Sequence, residues 1–183
     1  RLDTAKKALS LLCAKDKLSA QALAKELKML NDNRKELTDV GVKTAIQKIE
    51  TQGLVKDPVL VVYLPDCHES IAGIVAGKVK ERFYRPTIVL TDAEDGIKGS
   101  GRSIPDYNMF EELCKVGDLF TKFGGHPMAA GLSLKEENID RFRKALNDNS
   151  GLTEENLIKK VYIDIKMPFY YISEHIIHQI MVF

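Results

Sequence analysis

Phe123-Gly124-Gly125-His126-Pro127-Met128-Ala129-Ala130-Gly131-Leu132 is the stretch on which the reading of this chain turns. Two successive glycines carry no Cβ, so the backbone there is free to turn tightly and to approach a ligand closely. The histidine that follows is placed at the end of that turn to donate a hydrogen bond to an anionic oxygen. Its plainer reading is a turn residue satisfied by backbone. From Met128 to Leu134 the residues read as a strand, the small ones suited to close packing against a neighbour.

Further upstream, Gly99-Ser100-Gly101-Arg102-Ser103 supplies backbone N–H groups, two hydroxyls and a guanidinium. Such groups converge on one anion, and arginine's planar fork matches phosphate oxygens bidentately, which lysine does not. The alternative for Arg102 is a solvated arginine on a sheet surface. The candidate phosphate-binding residues are therefore Ser100, Gly101, Arg102, Ser103, Gly124, Gly125 and His126. His68 joins them because it lies between a strand end and a helix start, where α/β folds often place ligands. A local cap is its competing role.

Working outward, Val59-Leu60-Val61-Val62-Tyr63-Leu64 reads as a buried strand between Pro58 and Pro65. Ser70 is placed to cap a helix with Ile71, Ile74, Val75, Val79 and Phe83 inward, and Gly73 and Gly77 would let a backbone approach it. Thr87–Thr91 is a second strand, and Ile97–Ile104 returns beside it as an antiparallel partner. Asn108 caps a short helix ending near Gly117, and Glu136–Leu146 is another with Ile139, Phe142 and Leu146 inward. Strands alternating with helices define an α/β fold with a mixed β-sheet and flanking helices. A long connecting helix precedes it. Residues 4–15 begin that helical region, Ser19 is its next N-cap, Leu23, Leu27, Leu30 and Leu37 form a stripe that resumes after Gly41, and Gly53 stops it. A coiled-coil seam is the other reading, but Arg34 sits on the stripe and Gly41 interrupts it.

The motifs resemble a known family. Lys98–Ile104 followed by Phe123–Gly131, with His68–Gly77 and Glu81–Leu90 upstream, is similar to the DHH-associated domain of DHH phosphoesterases, in wording that of the RecJ-like exonucleases. Arg1-Leu2-Asp3 resembles the end of that family's catalytic domain, and Asp164–Pro168 the lead-in to an oligonucleotide-binding domain. The resemblance implies three regions: a helical connector over 1–53, the DHH-associated α/β substrate-binding domain over 54–150, and the start of a following domain over 151–183. It implies a parent enzyme that hydrolyses single-stranded DNA from the 5′ end, with roles in DNA repair and recombination. Two related readings are a phosphodiesterase for short RNA or cyclic dinucleotides, and a non-catalytic nucleic-acid-binding module. No Asp-His-His motif occurs in the chain. The implied Mn or Mg therefore belongs to a catalytic domain outside it, and the fragment alone is expected to bind no metal and to lack activity. Its partners are expected to be single-stranded DNA and that catalytic domain, with the chain a monomer.

Composition narrows the rest. The formal net charge is +1 over 183 residues, so no global basic field announces a nucleic-acid binder and any such contact is local. Cys13, Cys67 and Cys114 are widely spaced and odd in number, which fits a reduced cytoplasmic setting. No apolar run approaches the roughly 20 residues of a membrane span. Arg82 and Arg85 read as helix-end and strand-entry residues, and His175 and His178 as surface or core residues. Tyr84 and Tyr107 are candidates to stack a base, while Phe110, Phe120, Phe123 and Phe142 read as core. Val161–Ile165 alternates like a strand, and a helix follows from Ile172.

Overall fold

The computed structural model describes residues 5–182; the resemblance seen in Arg1-Leu2-Asp3 lies outside them. Two helices open the chain, α1 over Ala5–Leu12 and α2 over Lys17–Thr51. At 35 residues α2 is about 52 Å long. Asp16, not Ser19, caps it: the Ser19 N–H donates to Asp16 Oδ1 at 2.8 Å and the Ser19 hydroxyl to Oδ2 at 2.7 Å. Ser19 sits three residues inside, the partner of a cap rather than the cap.

Gly41 does not interrupt α2. It is buried with Thr38, Ala45 and Ile49 on the one stripe of α2 that packs inward. A Cβ there would stand 3.0 Å from Val75 Cγ2, so the glycine marks close helix–helix approach. Gly53 does follow the helix end, at φ 70°.

The α/β part begins with β1 over Leu60–Tyr63, α3 over Glu69–Phe83 and β2 over Thr87–Ala93. β1 and β2 are parallel, with α3 as the crossover that parallel pairing requires. Next come β3 over Gly96–Arg102, α4 over Met109–Cys114, β4 over Phe120–His126, β5 over Ala129–Leu134 and α5 over Ile139–Asn149. The sheet order is β1-β2-β3-β5-β4, antiparallel from β2 onward. A last helix, α6, spans Glu174–Ile180.

Apolar residues of β1 and β2 point to both faces, which is why these strands read as continuous apolar runs. Val59, Val61, Ile88 and Leu90 join Leu132, Phe142 and Leu146 in a core on the α5 side. Leu60, Val62 and Val89 join Ala45, Ile49, Val75 and Val79 in a second core under α2 and α3. α3 ends on Tyr84 in the left-handed region at φ 49°, a place where glycine is usual. The Tyr84 side chain packs against the α5-side core, which offsets the backbone cost.

Two further expectations are corrected. The Gly124-Gly125 pair is not a turn but part of β4, and neither glycine has a positive φ. The turn is Pro127-Met128, since His126 pairs with Ala129 across a two-residue loop. Its carbonyls accept from Met109 N and Ser103 N, both at 2.9 Å. Residues 161–165 form no strand: Val161, Tyr162, Ile163 and Ile165 are exposed and pair with nothing among the described residues. Alternation alone does not make a strand without a neighbour to bond.

Candidate nucleic-acid interface

Strand alternation sorts the two glycine-rich runs onto faces. Lys98, Ser100 and Arg102 of β3 pair with Thr91, Val89 and Thr87 of β2, on the side covered by α3. Across β5 and β4 the same face continues in three rows: Arg102–Ala129–His126, Ser100–Gly131–Gly124 and Lys98–Ser133–Lys122. α3 packs over β2 and β3 and α2 lies against β1, but among the described residues β5 and β4 lie bare. His126, Gly124, Lys122 and Gly131 are exposed. A Cβ on Gly124 or Gly131 would meet nothing within 4 Å. The result is a glycine-lined trough with cations at both ends.

Gly73 of α3 admits the key arginine. A Cβ there would stand 2.7 Å from Arg102 Nη2 and 2.8 Å from Ser100 Oγ. What approaches the helix at Gly73 is thus a side chain, not a backbone, and nothing approaches Gly77 within 4 Å. The guanidinium is half-buried, held by Arg102 Nη1 donating to Gly101 O at 2.7 Å. Gly125 is glycine for another reason: its Cβ would lie 2.5 Å from Ala129 O, inside the hairpin.

The structure thus gathers Ser100, Arg102, Gly124 and His126 on one face. Gly101 turns to the opposite, buried face beside Met109 and Ile88. Ser103 is buried as well, its hydroxyl donating to Tyr107 O at 2.5 Å, so it does not line the trough. Gly125 lies on the edge strand facing its partner's backbone. His68 is the N-cap of α3: its Nδ1 accepts from Ser70 N at 3.1 Å and lies 2.8 Å from Ser70 Oγ. Ser70 is therefore not the cap, and His68 faces a neighbouring hollow with Asp66, Cys67 and Asp92.

Lys98, Lys122, Ser133 and Gly131 line a groove of ≈ 410 Å³ with Glu69 and Ser70. They were not legible as site residues from contiguous motifs. The signal was the two-residue step 98-100-102 and 122-124-126, which strand pairing turns into a shared face. Glu69 Oε2 lies 2.6 Å from Lys98 Nζ. That bond holds the Glu69 carboxyl below the usual carboxylate range and pushes Lys98 up. Of the two stacking candidates, Tyr107 is core and Tyr84 packs against that core; Phe110 and Phe123, expected in the core, are instead exposed at 38% and 36%, Phe123 lining the groove.

A mixed sheet with one face filled and the other half bare and cationic, led by a long helix, defines a class of α/β domain. This chain belongs to the DHHA1 domain family, which matches residues 56–150. It is 41% identical over 169 residues to the single-stranded-DNA-specific exonuclease RecJ of Bacillus subtilis, covering 90% of this chain and 21% of that protein. The crystal structure of RecJ from Thermus thermophilus in complex with Mg²⁺ matches with a TM-score of 0.69 at 31% identity, over 79% of this chain and 22% of that one. A crystal structure of exonuclease RecJ bound to manganese matches with a TM-score of 0.74 at 29% identity, over 85% of this chain and 38% of that one. The chain therefore spans between a fifth and two fifths of the length of these three relatives. Among its described residues no group of three or more His, Cys, Asp or Glu is placed to hold a metal ion. These residues do not fit a Mg²⁺ or Mn²⁺ site. No helix of the described residues is long and apolar enough to cross a membrane.

Proposed function

We propose that this chain is the strand-holding part of a metal-dependent, RecJ-like exonuclease that degrades single-stranded DNA from the 5′ end in DNA repair and recombination. Residues 54–150 hold the strand's phosphates. Residues 1–53 connect them to an upstream catalytic domain, whose Mn²⁺ or Mg²⁺ supplies the hydrolytic chemistry. Residues 151–183, with Val161, Tyr162, Ile163 and Phe169 exposed, lead into a following oligonucleotide-binding domain.

The observation that carries this reading is the uncovered half of the sheet face. Arg102 and His126 stand two strands apart over small residues, and neither has a carboxylate within ion-pair distance among the described residues. A guanidinium and an imidazole left without acidic partners beside exposed backbone suit a phosphodiester. The exposed face runs over three successive rows of the sheet, which suits a continuous strand better than a dinucleotide.

The test is fluorescence anisotropy with a 5′-phosphorylated single-stranded DNA of about 12 nucleotides, competed by duplex and by dinucleotide. Arg102→Ala is expected to weaken binding by about 1.5–3 kcal/mol, the range for a hydrogen bond to a charged group. His126→Ala is expected to weaken it in the same direction. Binding unchanged in Arg102→Ala would sink the assignment, and a dinucleotide outcompeting the oligomer would move it to the small-substrate phosphodiesterases.

A further inference from the structure

The trough has two cationic ends. At one end Arg102 and His126 flank Ala129, and at the other Lys98 and Lys122 flank Ser133. Four residues along the strands separate the two rows, about 13 Å. On β5 and β4 no side chain rises between them, because the middle row there is Gly131 and Gly124. Lys122 is exposed and has no carboxylate within ion-pair distance among the described residues. Lys98 differs, since Glu69 Oε2 sits 2.6 Å from its Nζ. Glu69 also opens α3, a 15-residue helix whose N-terminus favours a negative group. Its carboxylate thus occupies a position, between a lysine and a helix start, that would suit a phosphate oxygen.

We propose that Lys98 and Lys122 form a second phosphate station for the same single strand, and that the Glu69 carboxylate occupies it until a strand displaces it. This rests on the strand-binding reading of the Arg102–His126 end. Glu69 is a positioning residue here: it acts through Lys98 and lowers affinity for ligands long enough to reach both rows. A dinucleotide held at the first row does not compete with it. The exchange is nearly balanced, because the Glu69–Lys98 pair is exposed, at 48% and 44% for the two side chains. Pairs of that kind are weak, and one is replaced by another.

The experiment titrates the full chain with a single strand of about 12 nucleotides and with a 5′-phosphorylated dinucleotide, at several salt concentrations. Lys122→Ala is expected to weaken the 12-mer roughly two- to fivefold. Its log–log salt slope should become less negative by about 0.7, one phosphate contact, while the dinucleotide is unaffected. Glu69→Gln is expected to tighten the 12-mer roughly two- to fivefold and make the slope more negative by about 0.7. Both side chains are exposed, so neither change should disturb the fold. Unaltered slopes in both variants would overturn the second station. Wild-type binding by Arg102→Ala beside a loss in Lys122→Ala would instead overturn the Arg102 reading and leave the lysine row standing.

Discussion

Replacing Gly73 by alanine separates the fold from the site. In isolation the change favours the helix, because alanine in a helix interior is about 0.8–1.0 kcal/mol better than glycine. For a chain of this size that corresponds to a rise in melting temperature of about 2–4 °C. The new Cβ would nevertheless stand 2.7 Å from Arg102 Nη2 and 2.8 Å from Ser100 Oγ. Both are ends of flexible side chains, so they yield rather than the helix. The guanidinium must retreat by at least 0.7 Å to regain ordinary contact at 3.4 Å.

A retreat of that size spoils a bidentate fork without removing its charge. About half of a charge-assisted bond is lost, roughly 1 kcal/mol of the 1.5–3 such a bond supplies. The dissociation constant for single-stranded DNA should rise about fivefold. Thermal melting and anisotropy on the same sample give both numbers. The double variant with Arg102→Ala should show no further loss, since the two changes act through one side chain. A raised melting point with unchanged affinity would refute the claim that Arg102 is held in place for an anion.

Other glycines and two tyrosines give sharper contrasts. Gly125→Ala should destabilise the hairpin by about 1–3 kcal/mol, because its Cβ meets the Ala129 and Ala130 backbone within 2.6 Å. Gly124→Ala and Gly131→Ala should leave the melting point unchanged yet weaken strand binding, and equal melting losses in all three would contradict that division. Tyr63 donates to Asp92 Oδ1 at 2.5 Å, and this pushes its phenol from 10.0 up to about 12. The bond's contribution to stability is full below pH 10 and lost as pH rises toward 12, because the unfolded tyrosine ionises first. Denaturation at pH 9 and above should show the gap between wild type and Tyr63→Phe closing over that window; a constant gap would refute it. The Tyr107 hydroxyl is buried with no hydrogen-bond partner among the described residues, so Tyr107→Phe should raise stability by about 1 kcal/mol, and a fall on chemical denaturation would show the phenol to be satisfied.

Elements whose apolar residues recur at a clear period were legible in the sequence. β1 and β2 are continuous apolar runs, and the inward residues of α3 and α5 repeat at helical spacing. β4 was not, because Phe-Gly-Gly-His holds residues that strands usually exclude, and its pairing comes from β5 rather than from its own preference. The α2 glycine misled for the same reason: at Gly41 tertiary packing against Val75 outweighs propensity. The candidate site was legible as residue types but not as a face. Ser100 to Ser103 read as one cluster, as they would in a loop. A strand splits such a run, so Ser100 and Arg102 face the trough while Gly101 and Ser103 turn inward.

The bare half of the sheet follows from the same alternation. On β5, Ala130, Leu132 and Leu134 point into the core, while Ala129, Gly131 and Ser133 point to the trough. On β4 the trough side is Lys122, Gly124 and His126. A helix covering that side would bury almost no apolar area, and at about 25 cal/mol per Å² it would gain too little to offset desolvating a lysine and an imidazole. Over β1 and β2 the sum reverses, because Leu60, Val62 and Val89 offer α2 and α3 apolar side chains to bury. α3 therefore stops at the boundary between the two halves, where Gly73 meets Arg102 and Glu69 meets Lys98. Valine at Ala129, Gly131 and Ser133 would turn the trough into an apolar patch that water disfavours, so the small residues there keep the surface both open and soluble.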